Sequence, residues 1–214
     1  MKPLTVSLLA GLLLAGCSSA YYGAMEKAGF AKRDILVSRV EKARGAQEEA
    51  KVQFATALDA FLAVIQIDGG QLKAKYDELN DQLQDCESRA KEVNDRIAAI
   101  DDVAEALFTE WGNELAHYTN TALRTQSQQQ LGATRQRYAQ LMAAMRSAAA
   151  RMDPILANFR DQVLFLKHNL NAQALRSLDS TSRALQGDIA NLIRDMEKSI
   201  READAFIREM KTTG

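Results

Sequence analysis

One apolar seam constrains this chain more than any other feature. Leu72, Tyr76, Leu79, Leu83, Cys86, Ala90, Val93, Ile97, Ile100, Ala104, Leu107 and Trp111 follow one another at alternating steps of four and three. In a strand, every step of three would throw the next side chain to the opposite face. In an α-helix the mean step of 3.5 residues keeps all of them on one stripe. Forty residues of helix extend ~60 Å at 1.5 Å per residue. A stripe this long needs partner stripes, and it excludes a sheet.

The chain supplies them. Leu36 to Ile65 carries the same period through Val40, Ala43, Ala50, Phe54, Leu58 and Phe61, with a polar entry at Gln47 and one slip. Leu131 to Leu166 repeats it through Tyr138, Leu141, Met145, Ala148, Met152, Ile155 and Phe159, with Thr134 and Gln162 as polar entries. The last segment runs Leu175, Leu178, Ser182, Leu185, Ile189, Leu192, Met196, Ile200, Ala203, Phe206, Met210. With only two Pro and 11 Gly in 214 residues, little interrupts such helices. The expected fold is all-α: an elongated antiparallel bundle or coiled coil of about four long helices. The polar seam entries either set register or mark where another chain docks.

The breaks define the connections. Asp68-Gly69-Gly70 closes the first helix, with Gly available for a left-handed turn. The second is expected from about Gln71 to about Tyr118. Thr119 to Gln126 reads as a polar connection, with Ser127 and Gln130 as a capping box for the third helix. Asn169-Leu170-Asn171 reads as a turn, with Asn171 as N-cap of the fourth. Pro154 removes one backbone donor and is expected to kink or restart the third helix. If helices three and four instead ran on through Leu170, three long helices would result, one of them kinked, as in BAR-like membrane-shaping modules.

The N-terminus speaks of location. Lys2 precedes an apolar run, Leu4 to Leu14, of 11 residues. A bilayer span takes ~20, so this is a signal sequence rather than an anchor. Leu14-Ala15-Gly16-Cys17 follows it directly and reads as a lipobox. The expectation is a signal peptide over 1–16, a lipid-modified Cys17, a tether over 17–30 and one bundle domain over 31–214. Several acyl chains on one residue would anchor it firmly, at ~0.8 kcal/mol per buried CH₂. Ser18 is not Asp, which in the general bacterial sorting scheme favours the outer membrane, facing the periplasm. With Cys17 used for lipid, Cys86 is left as a lone thiol on the seam.

Three segments carry a family resemblance: "YYGAMEKAGFAKRDIL" (21–36), "DRIAAIDDVAEALFTEW" (95–111) and "FRDQVLFLKHNLNAQAL" (159–175). The chain resembles an uncharacterised family of bacterial lipoproteins, classed as a domain of unknown function. The resemblance implies the lipoprotein character and adds no catalytic residues.

No pattern of residues points to catalysis. The two histidines, His117 and His168, lack metal-ligand spacing and suit helix ends, where the macrodipole favours a cation. There is no phosphate loop and no nucleophile elbow. Asp101 and Asp102, being adjacent, point to different faces and read as solvated charges. No enzyme activity, cofactor or metal is expected. Lys plus Arg is 27 against 28 Asp plus Glu, which argues against a nucleic-acid partner. The candidate contact residues fall in two groups. Tyr21 and Tyr22 lie just past the lipid-bearing residue, Lys32 and Arg33 follow the tether, and all four suit a membrane interface or a bundle end. Arg160, Lys167 and His168 flank the apolar run Val163 to Leu166, which covers all sides of a helix turn and is expected to be buried all round. The expected role is a membrane-anchored scaffold of the cell envelope with a protein partner or self-association; the alternative is a self-assembling, membrane-organising module.

Overall fold

A computed structural model describes residues 22, 25, 31–66, 71–169 and 171–212, except the side chains of 172–174, 179 and 180. Among them are four long helices and no strand. They are α1 (Lys32–Ile65), α2 (Leu72–Glu114), α3 (Thr121–His168) and α4 (Ala172–Thr212). A 3₁₀ turn, Leu115–His117, finishes α2. Each helix packs on its sequence neighbours and α4 closes the ring on α1, an up-down-up-down bundle. The break between His168 and Ala172 separates α3 from α4, so the three-helix arrangement is not the one adopted.

The seams form the core. Of the twelve positions in the α2 seam, ten are buried, and Tyr76 and Trp111 pack partly buried against the rest. In α1 the slip is visible. Burial continues Phe54, Ala57, Phe61, Val64, leaving Leu58 and Ile65 half-exposed. α4 departs from the expected seam once. Ser199 is fully buried and Ile200 half-exposed. The reason is polar pairing: Ser199 Oγ donates to Gln47 Oε1 at 2.7 Å, and Gln47 Nε2 donates across the bundle to the Met145 carbonyl at 3.5 Å. One buried node therefore joins α1, α3 and α4. Further along, Phe61 and Phe159 meet edge to face, with centroids 6.0 Å apart.

The charges are used between helices. Arg89 pairs with Glu49 across α1/α2, Arg44 with Asp204 across α1/α4, Arg160 with Glu87 across α2/α3, and Arg151 with Asp195 across α3/α4. Each exposed pair is worth only ~0–1 kcal/mol, but pairs flanking a seam select orientation and register.

The start of α3 and the burial of residues 163–166 need correction, and of the two outcomes expected at Pro154 the restart does not occur. α3 begins six residues before Ser127, at Thr121. Asn120 caps it, its Oδ1 accepting from the amides of Ala122 (2.9 Å) and Leu123 (3.2 Å). The polar stretch misled because residues 121–126 form an exposed helical turn beyond the ends of α1 and α4. Arg137 pairs with Glu209, close to the end of α4, so about the first dozen residues of α3 overhang it. Ser127 is instead buried, its Oγ accepting from Trp111 Nε1 at 2.8 Å. Pro154 does not restart α3, which is helical throughout. Pro154 and Ala150, whose carbonyl loses its donor, both face solvent, where water can replace the missing bond. Val163 and Leu166 are buried, but Leu164 and Phe165 are 54% and 40% exposed, because a bundle helix has neighbours on two sides only. Asn171 is at the start of α4 as expected, its carbonyl accepting from Leu175 at 3.4 Å. The stop at residues 68–70 lies outside the described residues.

Candidate functional site

The richest polar arrangement is at the end where α1 begins and α2 finishes. Arg39 on α1 and Asp102 on α2 face each other across the outer groove, Arg39 Nη1 donating to Asp102 Oδ2 (3.1 Å) and to the Ala99 carbonyl (2.5 Å). Tyr22 is seated on this pair. Its hydroxyl donates to Asp102 Oδ2 at 2.5 Å, and the Arg39 guanidinium lies 5.6 Å from its ring centroid, within cation–π range. Only 1% of Tyr22 is exposed. Burial, and then the hydrogen bond to Asp102, push its phenol up to about 12.

Asp101 serves the opposite interface. Its Oδ1 accepts from the Tyr138 hydroxyl (2.6 Å) and its Oδ2 pairs with Arg146 (2.6 Å), both on α3. Tyr138 meets Phe108 edge to face, centroids 5.3 Å apart. Burial first, and this hydrogen bond second, hold Tyr138 above the ordinary phenol range. The adjacent acids thus face different helices, as their spacing requires, but they are not simply solvated charges. Each anchors one tyrosine and one arginine. Sequence reasoning missed Arg39, Asp102, Asp101, Tyr138 and Arg146 as groups. The available signal was two adjacent acids directly after the seam residue Ile100, a place where each faces a different neighbouring helix.

The first group of candidates comes together here. Lys32 Nζ pairs with Glu110 at 2.9 Å. Arg33 reaches over the end of α4, its Nε and Nη2 donating to the Met210 carbonyl, one of the last carbonyls of that helix. Lys32 and Arg33 therefore close the bundle end. Tyr22 is seated on its flank. Cys17 and Tyr21 lie outside the described residues.

The second group is at the far end of the bundle. Arg160 pairs with Glu87; Lys167 and His168 are exposed at the C-terminus of α3. The structure does not bring the two groups together. His117 and His168 likewise occupy helix C-termini at opposite ends. Cys86 is fully buried, its thiol pushed up to about 12 by burial. Among the described residues, no set of three His, Cys, Asp or Glu is placed to hold a metal ion, and no helix is long and apolar enough to cross a membrane. The grooves are open; one along α3/α4 is lined by Arg137, Ala143, Ala144, Ser147, Lys198 and Glu202.

A family model described as a protein of unknown function, DUF2959, matches residues 21–210. The chain belongs to that family. No curated protein and no solved structure matches it.

Proposed function

We propose that this member of the DUF2959 family is a lipid-anchored scaffold of the bacterial envelope, held at the outer membrane and facing the periplasm, which works by contact rather than catalysis. One observation carries the reading. A cysteine in lipobox context, Leu14-Ala15-Gly16-Cys17, stands only five residues ahead of Tyr22, which is seated on a bundle whose longest helix has 48 residues. At 1.5 Å per residue that helix extends ~72 Å. An anchor joined this closely to a long body supports a role in placing a lateral surface at a membrane. Its polar groups support the same role. The arginines, tyrosines and acids described above are engaged in holding helices together.

The test is in-cell crosslinking of the tagged full chain, with mass spectrometry of what is captured and a Cys17→Ala control. A discrete envelope protein captured only from the Cys17 form is the expected result. Capture of further copies of the same chain and nothing else would overturn the adaptor role in favour of a self-assembling, membrane-organising module.

A further inference from the structure

The outward face of α3 is unlike that of its neighbour α2. Eleven of the eighteen exposed residues of α2 are charged, but only nine of the thirty of α3. Five of those nine are arginines that turn aside onto other helices. Arg135, Arg146 and Arg160 reach α2, and Arg137 and Arg151 reach α4. Between them runs an uncovered strip with its own heptad spacing: Ala143, Ala150, Ala157 and Leu164, each seven residues after the last, with Pro154 and Asp161 interleaved. Seven residues are close to two turns, so these positions share one face. The strip ends in Leu164 and Phe165, 54% and 40% exposed, the one adjacent pair of large apolar side chains exposed among the described residues. About five turns earlier on the same helix is an open groove of about 570 Å³, walled on the α3 side by Ala143, Ala144 and Ser147. One end of the face thus carries apolar knobs and the other a hollow with small walls.

We infer that this face pairs with the same face of a second copy of the chain, the two α3 helices lying antiparallel about a two-fold axis beside Ala157. The occupant follows from self-complementarity, which an isologous contact requires. Ser147 and Phe165 are 18 residues apart, five whole turns, and both lie on the α4 side of the strip, the side of Arg151, which pairs with Asp195. Arg146, Asp153 and Arg160 recur every seven residues on the α2 side, where the two arginines pair with Asp101 and Glu87. Asp153 is exposed and pairs with no cation among the described residues. An antiparallel two-fold brings like sides together. Seating Phe165 of one copy at Ser147 of the other puts the axis at 156, midway between them. Asp153 and Arg160 are centred between 156 and 157, so the same axis sets Asp153 opposite the other copy's Arg160, and does so twice. Steric fit on one side and charge fit on the other therefore specify one register. Ala150, Pro154 and Ala157 near the axis let the helices approach closely. A parallel pair would set equal heights together, so the apolar knobs would meet their own copies and the groove would stay empty. α1 is diagonal to α3 in the ring, and pairing leaves it and the Tyr22 seat uncovered for another partner. The inference stands on the fold and does not require lipid on Cys17.

Disulfide trapping in the purified full chain tests the register. Ala143→Cys, Ala157→Cys and His168→Cys are placed on the strip and Ala98→Cys on the outward face of α2, all at exposed positions. The unsubstituted chain, with Cys17 and the buried Cys86 in place, gives the background. Oxidised alone, Ala157→Cys should form a covalent dimer, because the axis sets that residue against its own copy. Ala143→Cys and His168→Cys should each stay at background alone, their two copies being ~35–40 Å apart, and crosslink when mixed. Ala98→Cys should stay at background. Adding Asp153→Arg to Ala157→Cys sets arginine against arginine and should cut trapping about ten-fold, and adding Arg160→Asp as well should restore it. Sedimentation of the unsubstituted chain should show a dimer that grows with concentration. A monomer at every concentration overturns the inference, whatever the variants do. So does trapping of Ala98→Cys as strong as that of Ala157→Cys. Ala143→Cys crosslinking with itself, or a charge swap that fails to restore trapping in protein that melts like the parent, overturns the antiparallel register. None of these results bears on the anchor at Cys17, which the crosslinking of the preceding section tests separately.

Discussion

At the scale of single residues, the bundle's specificity rests on a few polar groups among many apolar ones. Gln47 has a buried amide whose oxygen is satisfied by Ser199. Ser199→Ala leaves that oxygen unpaired, and urea unfolding should show a loss of ~1–3 kcal/mol. The pair Gln47→Leu with Ser199→Ala should recover part of this, since an unmade bond costs more than an absent one; a double-mutant cycle reads the coupling. Three acidic groups, Tyr22, Cys86 and Tyr138, have raised pKa values. Each stays protonated in the folded chain at a pH where the unfolded chain has released its proton. The sign follows: their contribution is complete below the ordinary thiol and phenol values and is lost as pH rises toward 12. Stability should be flat with respect to these groups through neutral pH and fall above about pH 9–10, where unfolded thiols and phenols ionise. Thermal melts against pH check this. A flat profile to pH 11 would contradict the buried hydroxyls. The same burial predicts that Cys86 reacts with thiol reagents at pH 8 far more slowly in folded than in urea-unfolded protein.

At the scale of elements, helix identity came from the 3.5-residue period and helix limits from local chemistry that the period does not contain. α2 begins and ends within a few residues of expectation, because Leu72 to Trp111 is an unbroken apolar series. The start of α3 was misplaced because its first turn has no apolar stripe. A helix overhanging its neighbours needs none, and Asn120 supplies the cap. The packed α3 is also the element open to improvement. Pro154 interrupts its backbone bonding on the solvent side, so Pro154→Ala should stabilise the bundle by ~1–3 kcal/mol, less than a full interior proline penalty because the freed carbonyl is on an exposed face where water can reach it. Gly187, in α4, has open space where a Cβ would sit, and Gly187→Ala should add ~0.5–1 kcal/mol. Both are read as shifts of the urea midpoint. Phe61→Ala, removing one ring of the edge-to-face pair with Phe159, should instead cost ~3–5 kcal/mol.

At the scale of the whole molecule, the bundle has a defined length. The longest helix, α3, has 48 residues, which extend ~72 Å. A monomer lacking residues 1–16 should therefore show a maximum dimension near ~75 Å in small-angle scattering, whereas a curved dimer of the membrane-shaping type would exceed this clearly. From the sequence alone came the all-α class, four seams and most of their buried members. These are legible because periodicity is a local property, expressed within a few turns of chain. Only the tertiary structure decided that Ser199 and not Ile200 enters the core, that Leu164 and Phe165 face outward, that Asp101 and Asp102 each hold a tyrosine and an arginine, and that Tyr22 folds back onto the flank. Each of these depends on which helix stands opposite and at what height. Partners 37 to 152 residues apart in sequence meet through a register that no local pattern encodes.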